Sequence, residues 1–524
     1  MKSKKYKIAA IYTMLVLAGC NPDLLDREPD FKYTESNFWQ TEATANAALT
    51  GIYAVLTGNG LFGGDATPLW EEGATPNAYC YSGGTLGYDA IGRSQQSAST
   101  EGIIANRWAQ CYQGIGRANT FFARVGDVGL DAEKQNLMEG QVYFLRALYY
   151  FELATYYGGV PLILEAPNPD TQVSMPRNSR EEVIAQVIAD LNTAVEKLPV
   201  KHAGGDLGRA TKGAAMALKA RVLLYEASPL LNPSNSSEKW QAAADAAKAV
   251  LDLAPAAGYD LFEDYRKLFL PENENNKEVI FDVQFLFPDE GHSFDLINTQ
   301  YNSNAPLQDL VDTYDMKNGL PITDPGAGYD PAKPYENRDP RLAATVVYPG
   351  SLFKGEVASA DYYKQTGFAM KKYSIYDAEK PPKDKSDLKS GQSETNFIVL
   401  RYADILMMYA EALNEIDPGN PAILENLNKI RKRVGMPEIP SNKSQSEMRE
   451  LIRKERRIEF AGEALYYNDI RRWKIAEVVM NAPIKTWQNN IIETRKFNPA
   501  RDYWWPIAQK ELDLNSKLEQ NPNY

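Results

Sequence analysis

Apolar residues recur at helical spacing through two long stretches of the chain, and turn residues separate the recurrences. In the clearest case, Asp131 precedes an apolar stripe from Met138 to Tyr149, which stops at Gly158-Gly159. An acidic N-cap, a three-to-four-residue spacing and a terminal glycine together predict a helix. Further helices are predicted over 41–53, 101–125, 179–198, from 211 onward, and over 238–253, 399–415, 421–434 and 445–461.

Successive predicted helices carry alanine at the positions where they would pack, as at Ala214, Ala217, Ala243 and Ala246. Small side chains let neighbouring helices approach closely, and helix–turn–helix units that bury each other's apolar faces are typical of tetratricopeptide-like stacks. The units do not repeat with a regular period of about 34 residues, because long insertions interrupt them. The pattern predicts a mainly α fold with a helical-repeat body.

Two segments interrupt the helical pattern. The first is a glycine-rich loop over 57–101, and the second is an insertion over 255–398 that is rich in Pro, Gly, Asn, Asp and Tyr. Short strands are predicted in the insertion at Val279–Phe285 and Ala344–Tyr348. The insertion divides the body into an N-terminal helical region, 33–254, and a C-terminal one, 399–524. Its aromatic content argues against disorder, and a loop region of this length is usually functional.

The N-terminus has the pattern of an export signal. Four lysines precede the apolar run Ile8–Leu17, which is shorter than the ~20 residues that a membrane span needs. The run ends in Leu17-Ala18-Gly19-Cys20, which resembles the bacterial lipobox. We therefore expect a lipoprotein signal peptide over 1–19, lipidation of Cys20, and an acidic tether over 20–32. An ordinary secretory signal with a chance cysteine is the alternative.

Charge and cysteine content exclude several classes of function. The net charge of −12 argues against nucleic acid and an anionic membrane surface as partners. Only two histidines are present, and neither Cys-x-x-Cys nor His-Glu-x-x-His occurs, so we expect no metal and no cofactor. Cys80 and Cys111 are expected to be buried or unpaired thiols, although an exported protein permits a disulfide between them.

Several motifs occur together in a fixed order behind the lipobox. They are Phe38-Trp39, Tyr157-Gly158-Gly159-Val160-Pro161, Gly208-Arg209-Ala210-Thr211, Asn337-Arg338-Asp339-Pro340-Arg341, Leu400-Arg401-Tyr402-Ala403-Asp404, Glu455-Arg456-Arg457-Ile458-Glu459-Phe460, Asp469-Ile470-Arg471-Arg472-Trp473 and Gln520-Asn521-Pro522-Asn523-Tyr524. In these motifs the whole mature chain resembles the RagB/SusD family of outer-membrane nutrient-binding lipoproteins.

The resemblance implies a fold and a function. It implies an α-helical body of about four tetratricopeptide-like helix pairs, and a lipoprotein anchored at the outer membrane and exposed on the cell surface. Such a protein captures oligosaccharides and passes them to a SusC-like TonB-dependent transporter, and it is not an enzyme. The charged motif Glu455 to Glu459 has a different physical reading, because charges this dense beside apolar residues predict buried ion pairs that hold the fold.

The glycan-binding residues are expected in the loops. A sugar ring offers an apolar C–H face and a rim of hydroxyls, which suit an aromatic platform beside planar polar groups on a loop held by a rigid scaffold. The chain contains 31 Tyr and 8 Trp. In the loop over 57–101 we expect Trp70 as platform and Asp65 as hydroxyl acceptor, followed by Tyr79, Tyr81 and Asn77, with Tyr301 of the insertion as a second wall. The alternative for Trp70 is that it plugs the loop against the helices.

Two other functions are compatible with the sequence. A helical-repeat adaptor would bind only protein, namely the transporter or another surface lipoprotein. A surface glycoside hydrolase would need two carboxylates at about 5–10 Å with pKa values pushed apart. The sequence alone does not exclude such a pair, because it contains 69 acidic residues.

Overall fold

The computed structural model describes residues 35–81 and 84–524. The predicted signal peptide over 1–19, Cys20 and the tether over 20–32 lie outside the described residues. Within the described part of the chain, no helix combines the length and the apolar character that crossing a bilayer requires.

Nine helices of twelve or more residues build the body of the described chain. They are α1 Glu42–Tyr53, α2 Ile103–Arg124, α3 Ala132–Tyr157, α4 Arg180–Lys197, α5 Lys212–Ala227, α6 Ser237–Ala257, α7 Tyr402–Ile416, α8 Pro421–Arg433 and α9 Gln445–Glu459. The predicted N-caps work as expected, since the side chains of Thr41, Asp131, Ser179 and Asn420 each accept a backbone N–H of the first helical turn.

The long helices stack in chain order. From α1 to α7 each helix packs against the next, and α7 also packs against α8 and α9. Small residues permit this contact, because Ala214, Ala217 and Ala247 are fully buried and a Cβ at Gly114 of α2 would lie 2.3 Å from the Tyr149 ring of α3. Four successive helix pairs, α1 to α8, therefore form the body, and the predicted mainly α, tetratricopeptide-like fold is confirmed.

The strands are short and join in antiparallel pairs. The pairs are β1 Ala78–Tyr79 with β3 Ala305–Pro306, β2 Val279–Val283 with β8 Phe397–Arg401, β4 Val346–Val347 with β7 Ala369–Met370, β5 Leu352–Phe353 with β6 Glu356–Val357, and β9 Pro483–Lys485 with β10 Ile491–Thr494. Both strands predicted in the insertion are present, each over a shorter range. A few short helices connect these pairs, among them Thr67–Glu71, Tyr88–Gly92, Phe294–Leu296, Pro340–Thr345 and Tyr466–Arg472.

The helix predicted over 399–415 begins later than expected. Residues Phe397–Arg401 form β8 instead, and α7 starts at Tyr402. All five residues of β8 are buried and both of its faces carry apolar side chains, so the alternation that reveals a half-buried strand is absent. The predicted boundary at 398 therefore falls inside a strand, and α6 runs three residues past the predicted boundary at 254.

Buried ion pairs join the C-terminal helices to the insertion, as the charge pattern predicts. Arg341 is fully buried and lies 2.7 Å from Asp339 and 3.0 Å from Glu459. Arg401 meets Glu459 at 2.8 Å and Glu278 at 2.7 Å. Burial alone would raise the pKa of Glu459, but the surrounding arginines hold it well below its usual range.

The two cysteines of the described chain are free and buried. Cys111 lies in α2, and the thiol of Cys80 donates to the carbonyl of Trp70 at 3.6 Å. Burial raises the pKa of Cys80 to about 12, so this thiol stays protonated. A disulfide between them, which the sequence left open, is not formed.

Candidate ligand-binding site

The loop over 57–101 and the insertion meet at one small sheet. Strand β1 of the loop pairs with β3 of the insertion, which sets Tyr79 opposite Ala305. The backbone N–H of Leu307 also donates to the carbonyl of Asn77 at 2.9 Å. The two segments that were expected to supply ligand-binding side chains are therefore neighbours in the structure.

Trp70 is not a platform, which corrects the expectation from the sequence. Its side chain is only 2% exposed, and the indole Nε1 donates to Ser303 Oγ at 2.9 Å. It belongs to the short helix Thr67–Glu71, in which every residue is buried. An aromatic ring stabilises a structure most when it is buried, and here Trp70 plugs the loop against the insertion.

Asn77 does not face a ligand either, and this expectation is also corrected. The side chain is fully buried. Its Nδ2 donates to Glu72 at 2.7 Å, and its Oδ1 accepts from Arg457 Nε at 2.7 Å. Both ends of the amide are thus engaged inside the protein, and Asn77 fixes the course of the chain into β1.

The Tyr81 side chain contacts the backbone of Tyr301 at the surface. The Tyr81 hydroxyl donates to the backbone carbonyl of Tyr301 at 2.9 Å. Partial burial raises the pKa of this hydroxyl, which keeps it protonated as a donor. The Tyr301 side chain is 48% exposed at the end of a π-helical turn, Ile297–Tyr301. Rings from segments 220 residues apart are thereby brought into one region of the surface.

Sequence reasoning missed Trp487, which joins the same region. Next to Tyr301, Asn302 donates to the carbonyl of Phe368 at 3.0 Å. The turn that precedes Phe368 contacts the β9–β10 hairpin, because the Trp487 N–H donates to the carbonyl of Thr366 at 2.8 Å. Trp487 is 37% exposed. Its place in the polar run Thr486 to Asn490 was the available signal, since a tryptophan in a polar turn is rarely core.

The turn that precedes Phe368 also carries Tyr362. Its side chain is 65% exposed and packs edge-on against Tyr363 at 4.9 Å between ring centroids. We call the exposed and half-buried rings of this region the aromatic surface. It comprises Tyr79, Tyr81, Tyr301, Tyr362 and Trp487.

Asp65 is exposed but lies apart from the aromatic surface. Its carboxylate accepts from Ser293 Oγ at 3.2 Å and from Ser390 Oγ at 3.3 Å. Ser293 precedes the helical run that ends at Tyr301, and eight residues of helix span roughly 10–12 Å. Asp65 would therefore reach a different part of an extended ligand than Tyr301 would.

Buried charges brace the loop from below. Arg457 holds Asn77, and Arg495 donates to the carbonyl of Ala78 at 2.9 Å. Glu72 accepts the backbone N–H groups of Gly462 and Ala464 at 3.1 Å, and burial raises the pKa of its carboxyl to about 7. The backbone that leads to the half-buried rings of Tyr79 and Tyr81 is thus fixed by the C-terminal region.

The arrangement suits recognition of a hydroxyl-rich chain. Flat rings offer apolar faces to sugar C–H groups, and the rigid backbone beneath them reduces the entropy lost on binding. Among residues 35–81 and 84–524, no group of three or more His, Cys, Asp or Glu could hold a metal ion.

Comparisons with known proteins agree with this architecture. The family model described as "SusD family" matches residues 277–524, and a model described as "Starch-binding associating with outer membrane" matches residues 23–224. The chain belongs to the SusD/RagB family. This is a family of carbohydrate-binding, generally non-catalytic proteins that are typically associated with the outer membrane.

Relatives within the SusD/RagB family match along nearly their whole length. SusD-like protein P2 of Formosa agariphila is 27% identical over 99% of this chain and 100% of its own. A SusD-like protein of Bacteroides ovatus is 28% identical over 90% of this chain and 83% of its own. A solved SusD-like carbohydrate-binding protein of Bacteroides fragilis is 27% identical, covers 92% of this chain and 100% of its own, and superimposes with a TM-score of 0.78.

Proposed function

We propose that this SusD/RagB protein is a lipid-anchored, surface-exposed lipoprotein that captures oligosaccharides on the aromatic surface. It then passes them to a SusC-like TonB-dependent outer-membrane transporter. The contact between Tyr81 and Tyr301 carries the proposal, because it brings the half-buried Tyr81 and the exposed Tyr301 from two distant segments to one region of the surface.

Family membership and the charge of the chain support the same function. A SusD-like carbohydrate-binding protein of 27% identity shares the fold over 92% of this chain. Exposed rings on a shallow surface bind with modest affinity, which allows the ligand to be handed on. The net charge of −12 favours neutral over acidic glycans.

Isothermal titration with a panel of neutral oligosaccharides tests capture. Removal of the Tyr301 ring in Tyr301→Ala is expected to weaken binding about 10-fold, the loss of about 1.4 kcal/mol of ring contact. Tyr301→Phe keeps the ring and should bind almost as the wild type does. Gln300→Ala, which changes an exposed neighbour on the same turn, is the control.

The outcomes separate the proposal from its two rivals. Equal binding by Tyr301→Ala and the wild type would remove Tyr301 from the site. Co-purification with a transporter, without binding to any glycan of the panel, would favour the adaptor. Release of reducing sugar by the purified protein would favour a hydrolase.

A further inference from the structure

A second pocket opens on the helical body, away from the loops. It has a volume of about 490 Å³ and lies between the segment that joins α5 to α6 and the helices α7 and α9. Its walls include Trp240, Asn414, Arg449, Arg453 and Trp473, and we call it the Trp240–Trp473 pocket. It shares no residue with the aromatic surface, and its size is within the range of small-ligand sites.

Two buried polar atoms in the walls of this pocket have no hydrogen-bond partner in the described part of the chain. Asn414 is fully buried, and its Nδ2 donates to the carbonyl of Gln445 at 3.1 Å while its Oδ1 accepts nothing. Arg453 Nη1 donates to Glu450 at 2.9 Å while its Nε donates to nothing. Unpaired buried groups are costly and point to an absent partner.

The charges that line the pocket are largely paired with each other. Arg449 binds the Glu415 carboxylate through two hydrogen bonds of 2.7 Å. Glu411 is held by Arg472 at 2.6 Å and by the Trp473 indole at 2.7 Å. The walls carry three acidic residues, Glu411, Glu415 and Glu450, and three basic ones, Arg449, Arg453 and Lys474, so the pocket offers no net charge to an ionic ligand.

The rest of the wall mixes apolar side chains, namely Trp240, Ile452 and two prolines, with the amides of Asn232 and Asn235. A hydroxyl has the chemistry that each unpaired atom requires, since it can donate to an amide oxygen such as Asn414 Oδ1 and accept from an N–H such as Arg453 Nε. Apolar C–H groups would lie against the accessible prolines of the wall, Pro229 and Pro233. A carboxylate has no hydrogen to donate to Asn414 Oδ1, and an ammonium group has no lone pair to accept from Arg453 Nε.

We propose that the Trp240–Trp473 pocket is a second binding site, specific for a neutral, hydroxyl-rich small molecule the size of a mono- or disaccharide. The site does not depend on glycan capture by the aromatic surface, because the two share no residues. The protein would then engage a short sugar on its helical body separately from any chain held on the loops.

Saturation-transfer NMR with D-glucose, D-galactose, D-xylose and maltose as probes tests this site. Arg453→Ala removes the unpaired donor, and Pro233→Tyr fills the exposed entrance without changing Asn414 or Arg453. Both variants are expected to weaken binding of the responding sugar at least ~10-fold, the factor that corresponds to 1.4 kcal/mol. Lys443→Ala, which removes an exposed positive charge ahead of α9, is the control and should bind normally.

The aromatic surface is separated from this site by Tyr301→Ala, which should leave the sugar signal of the pocket intact. Thermal melts check that each variant is folded. If Arg453→Ala does not fold, the binding measured with Pro233→Tyr tests the proposal instead. The proposal is overturned if none of the four sugars gives a saturable signal. Binding that survives in folded Pro233→Tyr, or a sugar-soaked crystal with only ordered water in the pocket, would overturn it equally.

Discussion

At the scale of single residues, burial decides what each ionisable group does. His292 shows this most directly. Its side chain is fully buried, its Nδ1 accepts the N–H of Phe294 at 3.2 Å, and its Nε2 donates to the carbonyl of Thr395 at 2.7 Å. Both nitrogens are occupied by the neutral ring, and burial lowers the pKa of His292 from 6.5 to about 3.

This histidine makes stability depend on pH. Below pH 6.5 His292 is protonated in the unfolded chain but stays neutral in the folded protein. The free energy of unfolding therefore falls as the pH drops toward 3. From pH 7.5 to pH 5 the loss through His292 is about 2 kcal/mol in the free energy of unfolding. Urea unfolding of His292→Gln at both pH values should show that much less pH dependence than the wild type. An unchanged pH dependence would contradict the assignment, and His202→Gln is the control.

Arg341 is expected to be among the most sensitive positions for stability. It is fully buried between Asp339, Glu455 and Glu459. Arg341→Met leaves these carboxylates without their shared partner, which should cost about 3–5 kcal/mol in urea unfolding.

Lys248 provides the comparison for Arg341. It pairs with Asp252 at 2.7 Å on the exposed face of α6, where solvent screens the ion pair. Lys248→Met should therefore unfold close to the wild type. Equal losses in the two variants would show that burial is not what makes Arg341 important.

At the scale of elements, local signals predicted the helices well. Caps such as Ser179, whose box with Glu182 is present in the structure, act within one turn and so are visible in sequence. Strand β8 was missed because its residues are buried on both faces. The β9–β10 hairpin was missed because its partner, the turn before Phe368, is more than 100 residues away in sequence.

The hairpin offers a test of the aromatic surface. Gly367 has a φ of +86°, and a Cβ there would lie 2.0 Å from the Trp487 ring. Gly367→Ala should therefore displace Trp487 and weaken glycan binding about as much as Trp487→Ala does. The measurement is titration with the oligosaccharide that binds the wild type.

A matched glycine separates displacement from backbone strain. Gly350 has a φ of +89°, but a Cβ there would meet nothing within 4 Å. Gly350→Ala carries the same strain without the clash, and should bind the oligosaccharide normally. Normal binding by Gly367→Ala would exclude Trp487 from the site.

At the scale of the whole molecule, one hydrophobic core extends from Trp39 to Ile507 and takes in the insertion as well as both helical regions. Removal of the proposed lipid anchor should therefore leave the folded body unchanged. Cys20→Ala is expected to retain its melting temperature and glycan affinity while the protein leaves the membrane fraction. Growth on the glycan with the unanchored protein would show that tethering is not required for uptake.

The candidate site was only partly predictable. Tyr79, Tyr81 and Tyr301 remain proposed contacts, and the structure adds Trp487 beside them. Trp70 and Asn77 have the residue types of a sugar site, yet each is buried by a partner from a distant segment, Ser303 for one and Arg457 for the other. Residue type alone does not tell which side of a loop faces solvent.

The sequence by itself determined the class of fold, the helix limits near strong caps, and the family. These depend on interactions within a few residues and on motifs in a fixed order. Only the tertiary structure decided which aromatic rings are exposed, that β8 is a strand, and that Asn414 and Arg453 line one pocket. Each of these depends on contacts between segments far apart in the chain, and no local pattern encodes them.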